Sequence, residues 1–222
     1  MKNKKWISLA AAVVFAVTAL PATVFAAKDG ESKEELTKVT LNEVAHSIFY
    51  APQYVAIGEG YFAEEGLDLT LVTGFGADKT MTAVISGEAD IGFMGAEASI
   101  YAYQEGATDP VVNFAQLTQR AGNFLVAREE MPDFTWDDLK DKRVLGGRKG
   151  GMPEMVFEYI LRNHNIDPAT DLEIDQSIDF GSTAAAFTGD MSADFTVEFE
   201  PSATALEKEG KGLNLTWEVR DG

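Results

Sequence analysis

Gly147-Arg148-Lys149-Gly150-Gly151-Met152-Pro153 packs glycines, two cations and a helix-starting proline into one short run. Glycines let a backbone approach a ligand, and the free N–H groups of a first helical turn favour negative charge. Arg148 and Lys149 add full positive charges, so the chemistry on offer is anion binding; the alternative is a solvent-facing basic turn. No Gly-Lys-Ser/Thr closes the loop, which excludes a nucleotide phosphate loop. Gly76-Ala77-Asp78, ahead of an amphipathic stretch at 80–86, offers the same backbone chemistry or a plain capped turn. A third candidate is the polar and aromatic loop His46-Ser47-Ile48-Phe49-Tyr50. Glu198 and Glu200 alternate onto one face of a strand. Glu200 precedes Pro201 and so is held out of the helical region. Its carboxylate is free to meet a ligand amine or Arg148, or simply to charge the next helical turn. His46 and His164 lie far apart and give no metal signature, and His164 suits a surface helix end.

These residues need elements to position them. Residues 39–41 alternate as a strand does, Pro52 opens a helix carrying Tyr54, Val55, Ile57 and Tyr61, and residues 67–72 alternate again. Strand, helix and strand within about thirty residues make a βαβ unit with a parallel pair. Further strands are expected at 89–94, 111–117, 123–128, 143–146, 172–174, 194–199 and 213–219. Helices are expected at 80–86, 98–103, 154–163, 183–187 and 202–209, with a short one at 136–140. The fold class is α/β. Ligands of open α/β sheets bind beyond the carboxyl ends of the strands. Four such ends converge here, at 46–50, 74–78, 95–97 and 118–120, which brings Glu97 and Gln119 into the candidate site.

Gly60-Tyr61-Phe62, Glu65-Gly66-Leu67-Asp68-Leu69, Ala83-Val84-Ile85-Ser86-Gly87-Glu88-Ala89-Asp90-Ile91-Gly92 and Phe199-Glu200-Pro201 form a specific set. Through them the chain resembles the periplasmic solute-binding proteins of nitrate/sulfonate/taurine type, with their relatives that bind thiamine-pyrimidine precursors. The similarity runs over about residues 38–215. It implies a two-lobed periplasmic-binding-protein type II (Venus-flytrap) fold with a mixed, mostly parallel sheet in each lobe. Lobe 1 would span 39–122 and lobe 2 123–222, the boundary falling near 121–129. The implied function is delivery of a small organic molecule, an anion being one candidate, to ABC permease and ATPase subunits. A monomer without cofactor is expected. Carried over from the strand-end loops of the resembling proteins, the ligand contacts are Phe49 and Tyr50 as aromatics and His46, Ser47, Gln119 and Arg148 as polar groups. Gly76, Ala77, Asp78, Gly150, Gly151 and Met152 would contribute backbone, with Glu97 and Glu200 beside them. The 46–50 loop departs from the Pro-Asn-containing loop of the thiamine-precursor binders, which argues against a pyrimidine.

Composition narrows the classes. Met1-Lys2-Asn3-Lys4-Lys5, an apolar run at 6–20, Pro21 and Val24-Phe25-Ala26 read as a signal peptide at 1–26, followed by a mobile leader at 27–38. The chain has no cysteine, so no lipid-bearing cysteine stands at the cleavage site, and an exported soluble protein is expected, periplasmic or extracellular. Losing the signal's three lysines takes the formal charge from −18 to −21, a balance that disfavours nucleic acid and anionic membranes. An enzyme of the same fold, a pyrimidine-forming synthase, uses histidine and cysteine, and cysteine is absent here. A ligand sensor that transports nothing is a further alternative. The resembling proteins continue past this chain's last residue, so a fragment or truncated product with a weaker first lobe is expected.

Overall fold

The computed structural model describes residues 35–108, 111–119, 122–179 and 181–215. The signal peptide, most of the leader, Arg120, Phe180 and the end of the last expected strand lie outside the described residues.

A parallel sheet comes first. Its middle strand is Thr37–Glu43 (β1), flanked by Leu67–Thr73 (β2) and Ile91–Phe93 (β3). Glu43 pairs with Thr73 on one side and Phe93 on the other, so three strands end on a single rung. The exposure of β2 alternates residue by residue, as the sequence pattern requires of a strand with one solvated face. In β1, by contrast, Leu41, Asn42 and Glu43 are all buried, because a central strand is covered on both faces. Between β1 and β2 the expected single helix is two: Ala51–Gly58 (α1) and Tyr61–Glu64 (α2). Gly60 sits at φ +81 between them, a conformation that glycine adopts without a Cβ penalty. Ala77–Ser86 (α3) buries Ala77, Thr80, Met81 and Ala83, and Glu97–Gln104 (α4) packs beside it.

The strand expected at 111–117 does not form. Residues 111–119 have no regular structure, and Val112, Phe114 and Leu117 are 80, 75 and 57% exposed. An apolar, β-prone run becomes a strand only with a ladder to join, and among the described residues β3 pairs with β1 alone.

The second sheet is mixed. It holds Asn123–Ala127 (β4), Arg143–Leu145 (β5), Glu173–Asp175 (β6), Phe195–Phe199 (β7) and Leu213–Leu215 (β8), in the order β6-β5-β7-β4-β8. β5 runs parallel to β6 and β7, while β4 runs antiparallel to β7 and β8. Helices Met152–Asn163 (α5), Thr183–Gly189 (α6) and Ser202–Lys208 (α7) join these strands. Side chains alternate across a strand, so β4 feeds two cores. Leu125 and Ala127 join Val144, Phe157, Leu161 and Phe195 on one face, while Val126 joins Leu145, Phe187, Ala203 and Leu206 on the other. Phe157 belongs to the apolar stripe that α5 forms with Pro153, Ile160 and Leu161. At the end of α5 the ring of His164 stacks on Trp136, 5.2 Å between centroids. The first sheet has a smaller cluster, Val44, Ala77, Met81 and Ala98.

Candidate functional site

Beyond the carboxyl ends of β1 and β3 lies a cavity of 340 Å³. The first sheet supplies Val44, Phe93 and the turn Met94–Glu97; the second supplies Phe199 at the end of β7 and Gly151–Pro153 at the start of α5. Tyr50 packs on Phe93 with ring centroids 4.2 Å apart. Phe49 meets Phe199 edge-on at 5.9 Å, an aromatic contact from one sheet to the other. Thr118 and Gln119 also line the cavity, although the strand expected to present them is absent.

The loop after β1 is fixed from beneath. Glu43 is fully buried and accepts bonds from Gln53 Nε2 at 3.0 Å, the Tyr54 hydroxyl at 2.8 Å and Thr73 Oγ1 at 3.2 Å. His46 Nδ1 lies 3.1 Å from the same carboxylate, and its ring stacks on Tyr54. The Ser47 backbone N–H donates to the Tyr54 hydroxyl, and Ser47 Oγ accepts from the Phe49 N–H. That bond caps the single 3-10 turn Ile48–Tyr50. Burial, then the charge of Glu43, pushes the Tyr50 hydroxyl up to about 12, so its proton stays in place at neutral pH.

Of the two cations that promised an anion site, Lys149 is exposed and lines neither cavity, and Arg148 is already engaged. Arg148 grips Asp78 through Nε and Nη2 at 2.7 and 2.8 Å and donates from Nη1 to Asp179 at 2.8 Å. Hydrogen bonding from Arg148 holds the Asp78 carboxyl below its ordinary range. Lys79 also donates to Asp179, at 2.9 Å. The Gly150 N–H donates to Glu154 at 3.2 Å, and burial together with Glu158 pushes the Glu154 carboxyl up to about 7. Glu97, the first residue of α4, is 8% exposed, and its Oε1 has no hydrogen-bond partner. Desolvation raises its pKa, while the backbone N–H groups of Glu97 itself and of Met152 pull it back down.

A second cavity of 330 Å³ shares Ser47, Arg148, Pro153 and Phe199 with the first and adds His46, Glu198 and Glu200. Glu198 is 3% exposed, accepts from Thr196 Oγ1 at 2.8 Å, and is pushed by burial up to about 7. Glu200 does not reach across to Arg148. Its two oxygens take the backbone N–H and hydroxyl of Thr204, which makes it a cap for the first turn of α7.

His46, Ser47, Phe49, Tyr50, Gly76, Ala77, Glu97, Gln119, Arg148, Gly151, Met152 and Glu200 thus line one or both cavities. Asp78 and Gly150 line neither; Asp78 accepts from Arg148, and the Gly150 N–H donates to Glu154. Sequence reasoning missed Phe93, Met94, Val156 and Phe199 as wall residues. Phe93 and Phe199 each close a strand, so the strand-end rule had the means to find them. Among the described residues no cluster of three or more acidic, histidine or cysteine side chains is placed to hold a metal.

The family model described as NMT1/THI5 like matches residues 48–219. The chain is 50% identical over 208 residues to the "Putative binding protein YtlA" of Bacillus subtilis, covering 94% of this chain and 61% of that protein. The alkanesulfonate-binding protein SsuA of Xanthomonas axonopodis pv. citri, bound to MOPS, superposes with a TM-score of 0.66. The identity is 19%, over 85% of this chain and 63% of that one. The periplasmic nitrate-binding protein NrtA of Synechocystis PCC 6803 gives 0.65 at 17% identity, over 81% of this chain and 51% of that one. At those identities the likeness is one of fold. The chain therefore spans between half and two thirds of the length of these proteins.

Proposed function

This chain belongs to the NMT1/THI5-like family, and on that premise we propose that it is an extracytoplasmic solute-binding protein serving an ABC importer. In this reading residues 39–122 form lobe 1 and 123–222 lobe 2, and a small organic molecule bound between them is handed to permease and ATPase subunits. The carrying observation is the 340 Å³ cavity at the strand ends, walled by Tyr50 and Phe93 from one sheet and by Phe199 and the start of α5 from the other. A ligand that touches both walls favours the arrangement that brings them together, and the free energy of that preference drives closure. The ligand contacts are Phe49, Tyr50, Ser47, Gln119, Met152 and Glu97, with His46, Arg148 and Glu200 toward the second cavity. The protein acts outside the cytoplasm; among the described residues no helix is long and apolar enough to cross a membrane.

We read the chain as a binding component and not an enzyme, since YtlA is named for binding. The test follows thermal unfolding against sulfonates, nitrate, pyrimidines, flavins and organic amines. A ligand that binds only the folded protein raises the melting temperature with its concentration. One class should do so, and mass spectrometry should recover it unchanged after overnight incubation. Cooperative melting that no class moves, or recovery of a converted product, overturns the proposal.

A further inference from the structure

The side-chain cations nearest the cavity, Arg148 and Lys79, are held by the protein's own carboxylates, while Lys149 is exposed and lines neither cavity. Arg148 is held by Asp78 and Asp179, Lys79 by Asp179, and the Gly150 N–H by Glu154. At the start of α5, where a bound anion would sit, the Met152 N–H already faces the Glu97 carboxylate. Among the acids, one oxygen of Glu97 is left over. Glu97 is more than nine-tenths buried in the cavity wall with Oε1 unpartnered, and Glu198, 3% exposed, lines the adjoining cavity. Among the described residues, Arg148 is the only Lys or Arg lining either cavity.

We propose that this cavity takes an organic cation, an amine or amidine seated against Glu97 on a flat or apolar body, and rejects oxyanions. The inference rests on the binding reading above and adds the chemical class of the ligand. A buried carboxylate forfeits hydration that one or two backbone N–H groups replace only in part, and a cationic N–H donor brought to the Glu97 carboxylate from the cavity restores more of it. An oxyanion in the same place meets a like charge in a poorly solvated site. The aromatic walls agree with this choice. Tyr50 and Phe93 form one wall, Phe49 and Phe199 another, and ring faces attract cations.

Benzamidine, benzamide and benzenesulfonate share one ring and differ in charge, and calorimetric titration of the chain with each reads the discrimination. Benzamidine should bind at least about tenfold more tightly than benzamide, with benzenesulfonate the weakest. In Glu97→Gln the benzamidine-to-benzamide ratio should fall below about threefold. Gly95→Ala is the second variant. A Cβ there would land on the Glu97 carboxylate, the far end of a flexible side chain, so it should move that carboxylate and collapse the same ratio without harming the fold. Benzenesulfonate binding as tightly as benzamidine overturns the cation assignment and leaves the binding reading standing. A ratio that survives both substitutions also overturns the assignment to Glu97. Silence from all three probes and from the wider panel overturns both readings.

Discussion

Arg148 holds both carboxylate oxygens of Asp78, seventy residues earlier in the chain, with Nε 2.7 Å from Oδ1 and Nη2 2.8 Å from Oδ2. This fork ties the loop after β5 to the first turn of α3, and so fastens the second sheet to the first beside the cavity. Asp78 remains 46% exposed, so solvent and salt screen the pair. Arg148→Ala should cost about 0.5–1 kcal/mol in dilute buffer. The deficit should shrink toward nothing near 1 M NaCl, where the Debye length is about 3 Å. Urea titrations at the two salt concentrations measure it, and a deficit that ignores salt contradicts a screened pair.

Glu43 presents the opposite case, a fully buried carboxylate with three side-chain donors from two elements, α1 and β2. Glu43→Ala strands the Gln53 amide, the Tyr54 hydroxyl and Thr73 Oγ1, and should destabilise by about 3–5 kcal/mol. Glu43→Gln keeps the size and one acceptor oxygen, and should cost roughly half as much. Paired urea melts decide: equal costs for both variants would mean that volume, and not hydrogen bonding, sets the stability at this position.

Much of this was legible from the chain and some was not, for identifiable reasons. The alternation of β2 declared its solvated face, and the glycine, cation and proline signals found the loop before α5. The local pattern at 111–117 was just as strand-like, yet no ladder partner stands beside it among the described residues; pairing is a tertiary fact. Nothing in the residue types of Asn42 and Glu43 announces burial, and it is their place in the middle of a sheet that buries them. Arg148 read as an anion ligand because its charge is local, whereas Asp78, which occupies it, is distant in sequence. Glu97 lay in the strand-end loop that the sequence marked, but nothing in its neighbours foretold an unpartnered oxygen.

Arg128 spans the end of β4 and the segment after α6. Its Nε donates to the Ala193 carbonyl, its Nη2 to the carbonyls of Phe187 and Asp190, and its guanidinium carbon sits 4.0 Å from the Phe187 ring centroid. A lysine has neither the planar fork nor the stacking face. Arg128→Lys should therefore recover little of the roughly 1–3 kcal/mol lost in Arg128→Ala. Full recovery by lysine in thermal unfolding would reduce the role of Arg128 to charge alone.

Glu198 makes stability depend on pH in a direction that can be worked out. Burial raises its carboxyl from 4.5 to about 7. The folded protein therefore holds this proton over a window in which the unfolded chain has released it. Stability from this group is greatest below about 4.5, falls as pH rises through the window, and levels off above about 7. Glutamine keeps the acceptor for Thr196 Oγ1 and cannot ionise, so Glu198→Gln is free of the penalty. The variant should gain on wild type between pH 5 and pH 8 by on the order of 2–3 kcal/mol. Glu154 is raised in the same sense, so the difference between the two proteins is the informative quantity. Unfolding free energies that run parallel across that range would show that Glu198 ionises at its ordinary pH and is better solvated than its burial indicates.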